Sequence, residues 1–196
     1  MDRNVENRNM LPSKSIVVIT VLSLLYLGLT FVWDSKIFSS DGLNMNCLPV
    51  DTQMIPLMHA LTKLCVFAFV FMVLLFLRYC LGNKSTLLVF LLYLAVYGVG
   101  LLLVYPGYYM NDDPIIFAYA TRYLPVYWHN YLTSLFYMTG MSLFPASCGP
   151  VLLSDVCYAM VYAFFYDRAG AVLHADGILY RILLILPGLA PFTLLG

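Results

Sequence analysis

Charge is what this sequence has least of. Only 10% of its 196 residues are charged, and 10 Lys or Arg balance 10 Asp or Glu to a formal net charge of zero. A chain without excess positive charge or a basic run lacks the electrostatic surface that nucleic-acid binding requires. Cys/His spacings typical of zinc sites and glycine-rich phosphate loops are also missing from the sequence. These absences argue against a nucleic-acid partner, a zinc site and a P-loop.

Apolar residues are what the sequence has in abundance. They make up 62% of the chain, and the mean hydropathy is +0.86, well outside the soluble globular range. A membrane-spanning helix needs about 20 mostly apolar residues. The segments that meet this requirement are 15–33, 55–81, 86–105, 149–166 and 177–196. We therefore predict an all-α, polytopic membrane protein with five transmembrane helices.

The first apolar segment resembles a signal peptide only in the positive charge before it. Its apolar region is too long, and "WDSK" follows it where a cleaved signal would have small residues. We interpret it as a retained signal anchor.

The distribution of Lys and Arg sets the orientation, because these residues accumulate in cytoplasmic segments. It predicts a cytoplasmic N-terminus at 1–14 and extracytoplasmic loops at 34–54 and 106–148, in a cell membrane. Cys47 and Cys148 then fall on the same side, and whether they pair is left open. The residues that give this orientation are Arg3, Arg8, Lys14, Arg78, Lys84, Arg168 and Arg181.

Polar and ionisable residues are concentrated in the second outer loop. Residues 105–137 hold two adjacent acids, an Arg, a His and eight tyrosines. "NDDPIIFAYATRYL" predicts a short helix, with Asp113 capping it and Pro114 at its first position. "WHNYLTSLFYMTGMSLF" predicts a second one. Both are too short and too polar to span, and their Tyr and Trp residues favour the membrane interface.

Four residues of this loop are candidates for a site. Asp112 is either a solvated loop acid or a general base or metal ligand. Asp113 is a helix cap or a substrate contact, and His129 is structural or binds substrate. Arg122 either reaches toward lipid headgroups or clamps a lipid-linked phosphate.

Two charges lie inside predicted spans. Lys63 in the second span and Asp155 in the fourth are each expected roughly 9–12 Å below the outer surface. Because an isolated charge in a membrane is costly, such residues pair or line a wet cavity. We predict that Lys63 and Asp155 face each other or share a cavity under the outer loop. His59 and Asp167, near span ends, receive no functional role.

The motif around Asp112 resembles one found in the GT-C superfamily. Tyr105, Pro106 and Gly107 end a span, and Asp112 follows after four residues; His129 and Thr133 come later. This arrangement over about residues 87–170 is similar to bacterial integral membrane glycosyltransferases that use sugars on polyprenyl phosphates, a group of largely unassigned function. The sequence has Asn at 130, where that group commonly has Pro.

The resemblance implies a function. The chain would transfer a sugar from a polyprenyl-phosphate-linked donor to an acceptor on the extracytoplasmic side, with inversion and with Asp112 as the base. Asp113 and His129 would position substrate, whereas Arg122 as a phosphate binder follows from its charge and position only. Some families of this kind use a divalent metal at the Asp, although the sequence here requires none. The implied partners are the lipid-linked donor and membrane lipids.

GT-C proteins usually have more spans than this sequence contains. We therefore expect the chain to be the N-terminal part of such an enzyme, with a cytoplasmic segment 1–14, two spans within 15–81 and the start of the core at 86–196. The alternatives are a non-enzymatic membrane protein, such as a transporter or assembly subunit, and an inactive remnant. A transporter would place its polar site near the bilayer midplane, so a polar cluster at the outer surface favours the enzyme.

Overall fold

The structure is a computed structural model that describes residues 13–38, 52–103, 113–125, 131–173 and 177–193. Within these ranges the chain forms helices joined by short turns, without a strand, which confirms the predicted all-α class. A 3-10 turn, Thr52–Met54, precedes the second helix. The α-helices are α1 (Ser13–Ile37), α2 (Ile55–Leu81), α3 (Lys84–Leu103), α4 (Asp113–Ala120), α5 (Tyr131–Leu143), α6 (Gly149–Val172) and α7 (Ile178–Thr193).

Four of these helices, α1, α2, α3 and α6, are long and apolar enough to cross a membrane. The chain is therefore a multi-pass membrane protein of the predicted kind. Among the described residues four helices are candidate spans, so the predicted count of five is not confirmed. The fifth predicted span, 177–196, forms α7, an apolar helix of 16 residues. At 1.5 Å per residue α7 is about 24 Å long, short of the roughly 30 Å hydrocarbon core.

The long helices leave much of their apolar surface facing outward. Only 17% of the spanning window of α1 is buried inside the protein, against 39% for α3. Leu and Val side chains on the outer faces, such as Leu25 and Leu102, are widely exposed. In a bilayer this surface contacts lipid tails, so exposure of apolar side chains carries no penalty there.

Tyrosines join α3 to its neighbours. Tyr93 and Tyr97 are buried together with Ala159 of α6. Their hydroxyls donate hydrogen bonds to the carbonyls of Ile185 (2.8 Å) and Gly188 (2.5 Å) of α7. These bonds satisfy polar groups that would otherwise be costly among apolar side chains.

Two glycines allow α5 and α6 to pack closely against each other. A Cβ atom added to Gly140 would lie 2.5 Å from Cα of Pro150, and one added to Gly149 would lie 2.5 Å from the carbonyl oxygen of Gly140. The absence of side chains at these positions is what lets the two backbones touch.

The two short helices predicted in the 106–148 loop are confirmed as α4 and α5. α4 begins at Asp113, next to Pro114, as predicted, but it ends at Ala120, before a turn that reaches Pro125. α5 is more deeply buried than a helix lying on a membrane surface would be. Its carbonyls at Ser142 and Leu143 accept hydrogen bonds from α1, namely from Trp33 Nε1 (3.1 Å) and Tyr26 Oη (2.5 Å).

The depth of α5 fixes where α6 begins. Leu143 at the end of α5 and Leu153 in α6 pack in one cluster with Val66 and Phe69. Since α2 begins at Ile55, this cluster lies several turns from the start of α2. The start of α6 is therefore displaced along the bundle, away from the start of α2.

Candidate functional site

The carboxylate of Asp34, near the end of α1, is hydrogen-bonded to three side chains. Asp34 Oδ1 accepts from Lys63 Nζ at 2.6 Å and from Tyr123 Oη at 3.3 Å. Its Oδ2 faces His59 Nε2 at 3.1 Å. We call Asp34, His59, Lys63 and Tyr123 the Asp34 cluster, and the end of the bundle that holds it the Asp34 end. The cluster joins α1, α2 and the turn after α4.

Helical spacing brings the partners of the cluster together. Thr30 and Asp34 are four residues apart on α1, and His59 and Lys63 are four apart on α2. Residues at this spacing lie one above the other on a helix face. The packed antiparallel pair α1 and α2 therefore presents a carboxylate and a hydroxyl to an imidazole and an ammonium.

Lys63 is fully provided with acceptors. Besides Asp34, its ammonium donates to Thr30 Oγ1 at 3.0 Å and to Ser142 Oγ at 3.3 Å. It also lies 4.4 Å from the centre of the Phe31 ring. An ammonium has three donors, and all three have acceptors here although the residue is only 6% exposed. Lys63 therefore stabilises the junction of α1, α2 and α5.

The predicted pairing of Lys63 with Asp155 is wrong: Lys63 forms its ion pair with Asp34. In the described part of the chain, Asp155 Oδ2 is buried and has no hydrogen-bond partner. The prediction assumed that α2 and α6 start at the same level. Because α5 reaches into the bundle, Leu153 of α6 packs in the same cluster as Val66 of α2. Asp155, two residues further along α6, therefore lies beyond the level of Lys63.

Tyr123 is held in an unusual backbone conformation. Its φ is 56°, in the left-handed region that large side chains rarely adopt. The Phe38 ring stacks on it at 4.1 Å, and the His59 ring meets it edge-on at 4.7 Å. Burial, followed by the Asp34 carboxylate, raises the pKa of Tyr123 well above its ordinary value. The phenol therefore remains a proton donor to Asp34.

His59 is the accessible member of the cluster. Its side chain is 36% exposed, against 17% for Asp34. When Nε2 carries the proton that Asp34 accepts, Nδ1 is left as an acceptor, and no other side-chain hydrogen bond to His59 occurs within the described ranges. The carboxylate thus orients the imidazole and fixes which ring nitrogen carries the proton.

Of the site residues predicted in the second outer loop, only some lie in the part of the chain that the structure describes. Asp112 and His129 lie outside the described residues, and Asp113 begins α4 without a described side chain. Arg122 lies in the turn after α4, where its amide donates to the Tyr119 carbonyl at 3.0 Å. It directly precedes Tyr123, so it lies beside the Asp34 cluster along the chain.

Sequence reasoning missed Asp34 and His59. The available signal was their position: Asp34 stands near the end of one span, and His59 and Lys63 stand near the start of the next. Neighbouring antiparallel spans place these residues at the same end of the bundle. Matching Lys63 with the acid of the adjoining span would have identified its partner.

A second polar cluster lies at the opposite end of the bundle, which we call the Asp167 end. Tyr79 Oη and Asn83 Nδ2 donate to the Asp167 carboxylate, the latter at 2.5 Å. Arg181 Nη1 donates to Tyr166 Oη at 3.4 Å. Asn83, Asp167, Tyr166 and Arg181 border a cavity of ≈ 310 Å³. The hydrogen bonds of the cluster connect α2 and the turn after it to α6, and α6 to α7.

No three His, Cys, Asp or Glu side chains come close enough to hold a metal ion in the segments that the structure describes. The acids and the His of the predicted motif are not among the side chains described. The Asp34 carboxylate is occupied by three donors, two of which are a buried ammonium and a phenol. Such a carboxylate suits a structural role better than metal binding.

Comparison with protein-family models, with curated proteins and with solved structures finds no match for this chain.

Proposed function

We propose that this chain is part of a membrane glycosyltransferase that transfers a sugar from a polyprenyl-phosphate-linked donor to an acceptor on the extracytoplasmic side. The observation that carries the proposal is the Asp34 cluster. It joins two spans to the turn that follows α4, and α4 itself follows directly on Asp112 of the Tyr-Pro-Gly motif. The polar loop is therefore built onto a rigid part of the bundle.

The cluster holds the end of α4 and the turn after it against the bundle. Tyr123 is bonded to Asp34 and stacked on Phe38, and Ala120 at the end of α4 is buried against Met58 and Met138. Since misplacement by about 1 Å reduces rates strongly, such support is what a catalytic Asp112 needs.

In the proposed reaction Asp112 takes the proton of the acceptor hydroxyl. The acceptor oxygen then bonds to the anomeric carbon, the bond from that carbon to the phosphate oxygen breaks, and the polyprenyl phosphate leaves. Arg122 binds the phosphate with its planar guanidinium. Asp113 and His129 position the sugar and the acceptor.

An apolar groove beside α5 suits the lipid part of the donor. Its cavity of ≈ 340 Å³ is lined by side chains of α2, α5 and α6, among them Met72, Leu135 and Cys157. The groove is open and almost wholly apolar, which suits an isoprenoid chain. α5 links this groove to the Asp34 cluster through Ser142, an acceptor of Lys63.

The function is tested with membranes from cells that overproduce the full-length protein. Polyprenyl-phosphate-linked sugars carrying a radiolabel are supplied one at a time with a crude envelope acceptor fraction. We expect label to move from the lipid to the acceptor with at least one donor. Loss of lipid-linked label without its appearance in any acceptor would count against glycosyl transfer.

We further propose the orientation that the Lys and Arg residues predict, with the Asp34 end outside the cytoplasm. Two single-cysteine variants test it in a cysteine-free background: Gln53→Cys at the Asp34 end and Lys84→Cys at the other, both at exposed positions. A membrane-impermeant maleimide should label the first on intact cells and the second only after lysis. The reverse pattern would place the loop of Asp112 in the cytoplasm.

A non-enzymatic role in transport is the second candidate, and Asp155 favours it. Asp155 lies within a span, and its buried Oδ2 has no hydrogen-bond partner among the described residues. Ionisable residues within spans are typical of ion and proton pathways. Under this alternative Asp155→Asn abolishes the activity of the protein, whereas Asp112→Asn leaves it intact. Under the glycosyltransferase proposal Asp112→Asn has the severe effect.

A further inference from the structure

We propose that a groove between α1 and α2 at the Asp167 end binds one anionic phospholipid, with the headgroup phosphate between Lys14 and Arg78. This lipid comes from the leaflet on that side of the membrane. The site lies at the opposite end of the bundle from the Asp34 cluster and is independent of the proposed glycosyltransferase activity.

The groove is apolar along its length and basic at one end. Its cavity of ≈ 430 Å³ is walled by aliphatic side chains, including Val18 and Leu22 of α1 and Leu74 of α2. Lys14, Val18 and Leu22 follow one another at four-residue spacing and form one stripe of α1. Arg78 continues the stripe of Leu74 on α2 in the same way. Because the two helices are antiparallel, both stripes have their cation at the same end.

The length of the groove corresponds to one leaflet. Leu22 is eight positions after Lys14, which is about 12 Å of helix. Half of the hydrocarbon core of a bilayer is about 15 Å. An acyl chain lying in the groove would therefore have its headgroup at the level of Lys14 and Arg78.

Among the described residues, no acid supplies a counter-charge to the two cations. Both side chains are exposed, and neither makes an ion pair or a side-chain hydrogen bond within the described ranges. Asp167, the acid described at this end, is occupied by Tyr79 and Asn83. Lys14 also lies in the first turn of α1, where free backbone amides attract anions.

These features select the class of lipid. An ammonium and a guanidinium at headgroup level attract anionic lipid, each contributing to the binding energy. The guanidinium can also bond two phosphate oxygens at once. A zwitterionic lipid carries its own cation close to the phosphate, so it gains less from this pair of charges. The site should therefore prefer phosphatidylglycerol to phosphatidylcholine.

The test measures lipid retention by the purified full-length protein in detergent. Native mass spectrometry follows titrations with phosphatidylglycerol and with phosphatidylcholine of the same acyl chains. The variant Lys14→Ala/Arg78→Ala is compared with Lys84→Ala/Arg168→Ala. The control removes two cations from the same end of the bundle, neither of which lines the groove. Circular dichroism establishes that both variants keep the wild-type helix content.

We expect wild type and control to bind one phosphatidylglycerol at least about tenfold more tightly than phosphatidylcholine. The Lys14→Ala/Arg78→Ala variant should lose this preference. Equal loss in the control would show diffuse attraction and overturn the proposal, as would equal affinity of wild type for both lipids. Leu74→Trp fills the groove without touching the charges; undiminished phosphatidylglycerol binding by this variant would show that the groove is not the site.

Discussion

Lys63 Nζ and Asp34 Oδ1 form an ion pair of 2.6 Å between α1 and α2. Its two side chains are only 7% and 17% exposed. Thr30 and Ser142 complete the acceptors of the ammonium, while His59 and Tyr123 bond the carboxylate. Removing one partner would leave a buried charge without its counter-charge, which is the costly way to disrupt such a pair.

We predict that Asp34→Ala destabilises the protein by about 3–5 kcal/mol, because Lys63 then stays buried with hydroxyl partners only. The double variant Asp34→Leu/Lys63→Met should recover a large part of that loss, since two apolar groups replace the pair. Unfolding in detergent, followed by circular dichroism, measures both. Lys84→Met is the control, at an exposed lysine where a change stays within about 0.5 kcal/mol. A double variant as unstable as Asp34→Ala would contradict this account of the pair.

The second prediction concerns Tyr123 in alkaline solution. Its folded-state pKa is raised by burial and by Asp34, whereas the unfolded chain loses the proton near the ordinary value of about 10. The stabilisation is therefore present below about pH 10 and decreases as the pH rises above that value. Tyr123→Phe keeps the ring that stacks on Phe38 but has no proton to lose.

We expect the wild type to exceed Tyr123→Phe in stability by about 0.5–1.5 kcal/mol at pH 8, the usual contribution of one hydrogen bond. The difference should shrink between pH 10 and 11. The free energy of unfolding at each pH, measured for both proteins in the same detergent, gives this difference. A gap that is constant with pH would show that Tyr123 titrates like an exposed tyrosine.

The third prediction tests the contact of α5 with α6. Gly140→Ala places a methyl group where Pro150 Cα is 2.5 Å away, and backbone atoms cannot move aside cheaply. We expect a loss of about 1–3 kcal/mol or more. Gly98→Ala in α3 is the control, because no atom lies within 4 Å of the added group. There the higher helix propensity of Ala makes the change neutral or stabilising.

Unfolding in detergent, followed by circular dichroism, compares the two glycine variants. Because Ser142, two residues beyond Gly140, is an acceptor of Lys63, displacement of α5 should also weaken the Asp34 cluster. Gly140→Ala and Asp34→Ala should therefore be less than additive. Equal stability of the two glycine variants would mean that α5 and α6 separate without cost.

Long apolar segments and local helix-start signals were sufficient to predict much of this fold. The four candidate spans follow from continuous apolar runs, and α4 follows from Asp113 and Pro114, which begin a helix for local reasons. The partner of Lys63 could not be derived in this way. It depends on how far α5 enters the bundle, which is set by the contact of Gly140 with Pro150 and by bonds from Tyr26 and Trp33.

The depth of a charge along its own span is thus a poor guide to its partner. Lys63 and Asp155 have similar positions relative to the ends of their spans, yet α6 is displaced along the bundle. Asp34 and His59 were accessible to prediction through helical spacing and adjacency of spans. The conformation of Tyr123, with φ at 56°, has no signal in the sequence, because it results from contacts with Phe38, His59 and Asp34.

The last prediction separates the two adjacent acids of the loop by role. Asp113 is the first residue of α4, where its carboxylate can accept from backbone amides of the first turn. Losing such a cap costs about 0.5–2 kcal/mol, but Asn caps nearly as well as Asp. Asp113→Asn should therefore fold normally and keep most of the sugar-transfer activity.

Asp112 lies before the helix, and under the proposed function its carboxylate takes the proton of the acceptor. Asn keeps the shape of Asp but cannot accept that proton, so Asp112→Asn should lower the rate by about 100- to 10,000-fold at unchanged expression. Both variants are measured in the full-length protein with the labelled polyprenyl-linked donor. Wild-type transfer by Asp112→Asn would remove the catalytic assignment. If Asp113→Asn were the inactive variant instead, the loop would still be the site, and the roles of base and cap would be exchanged.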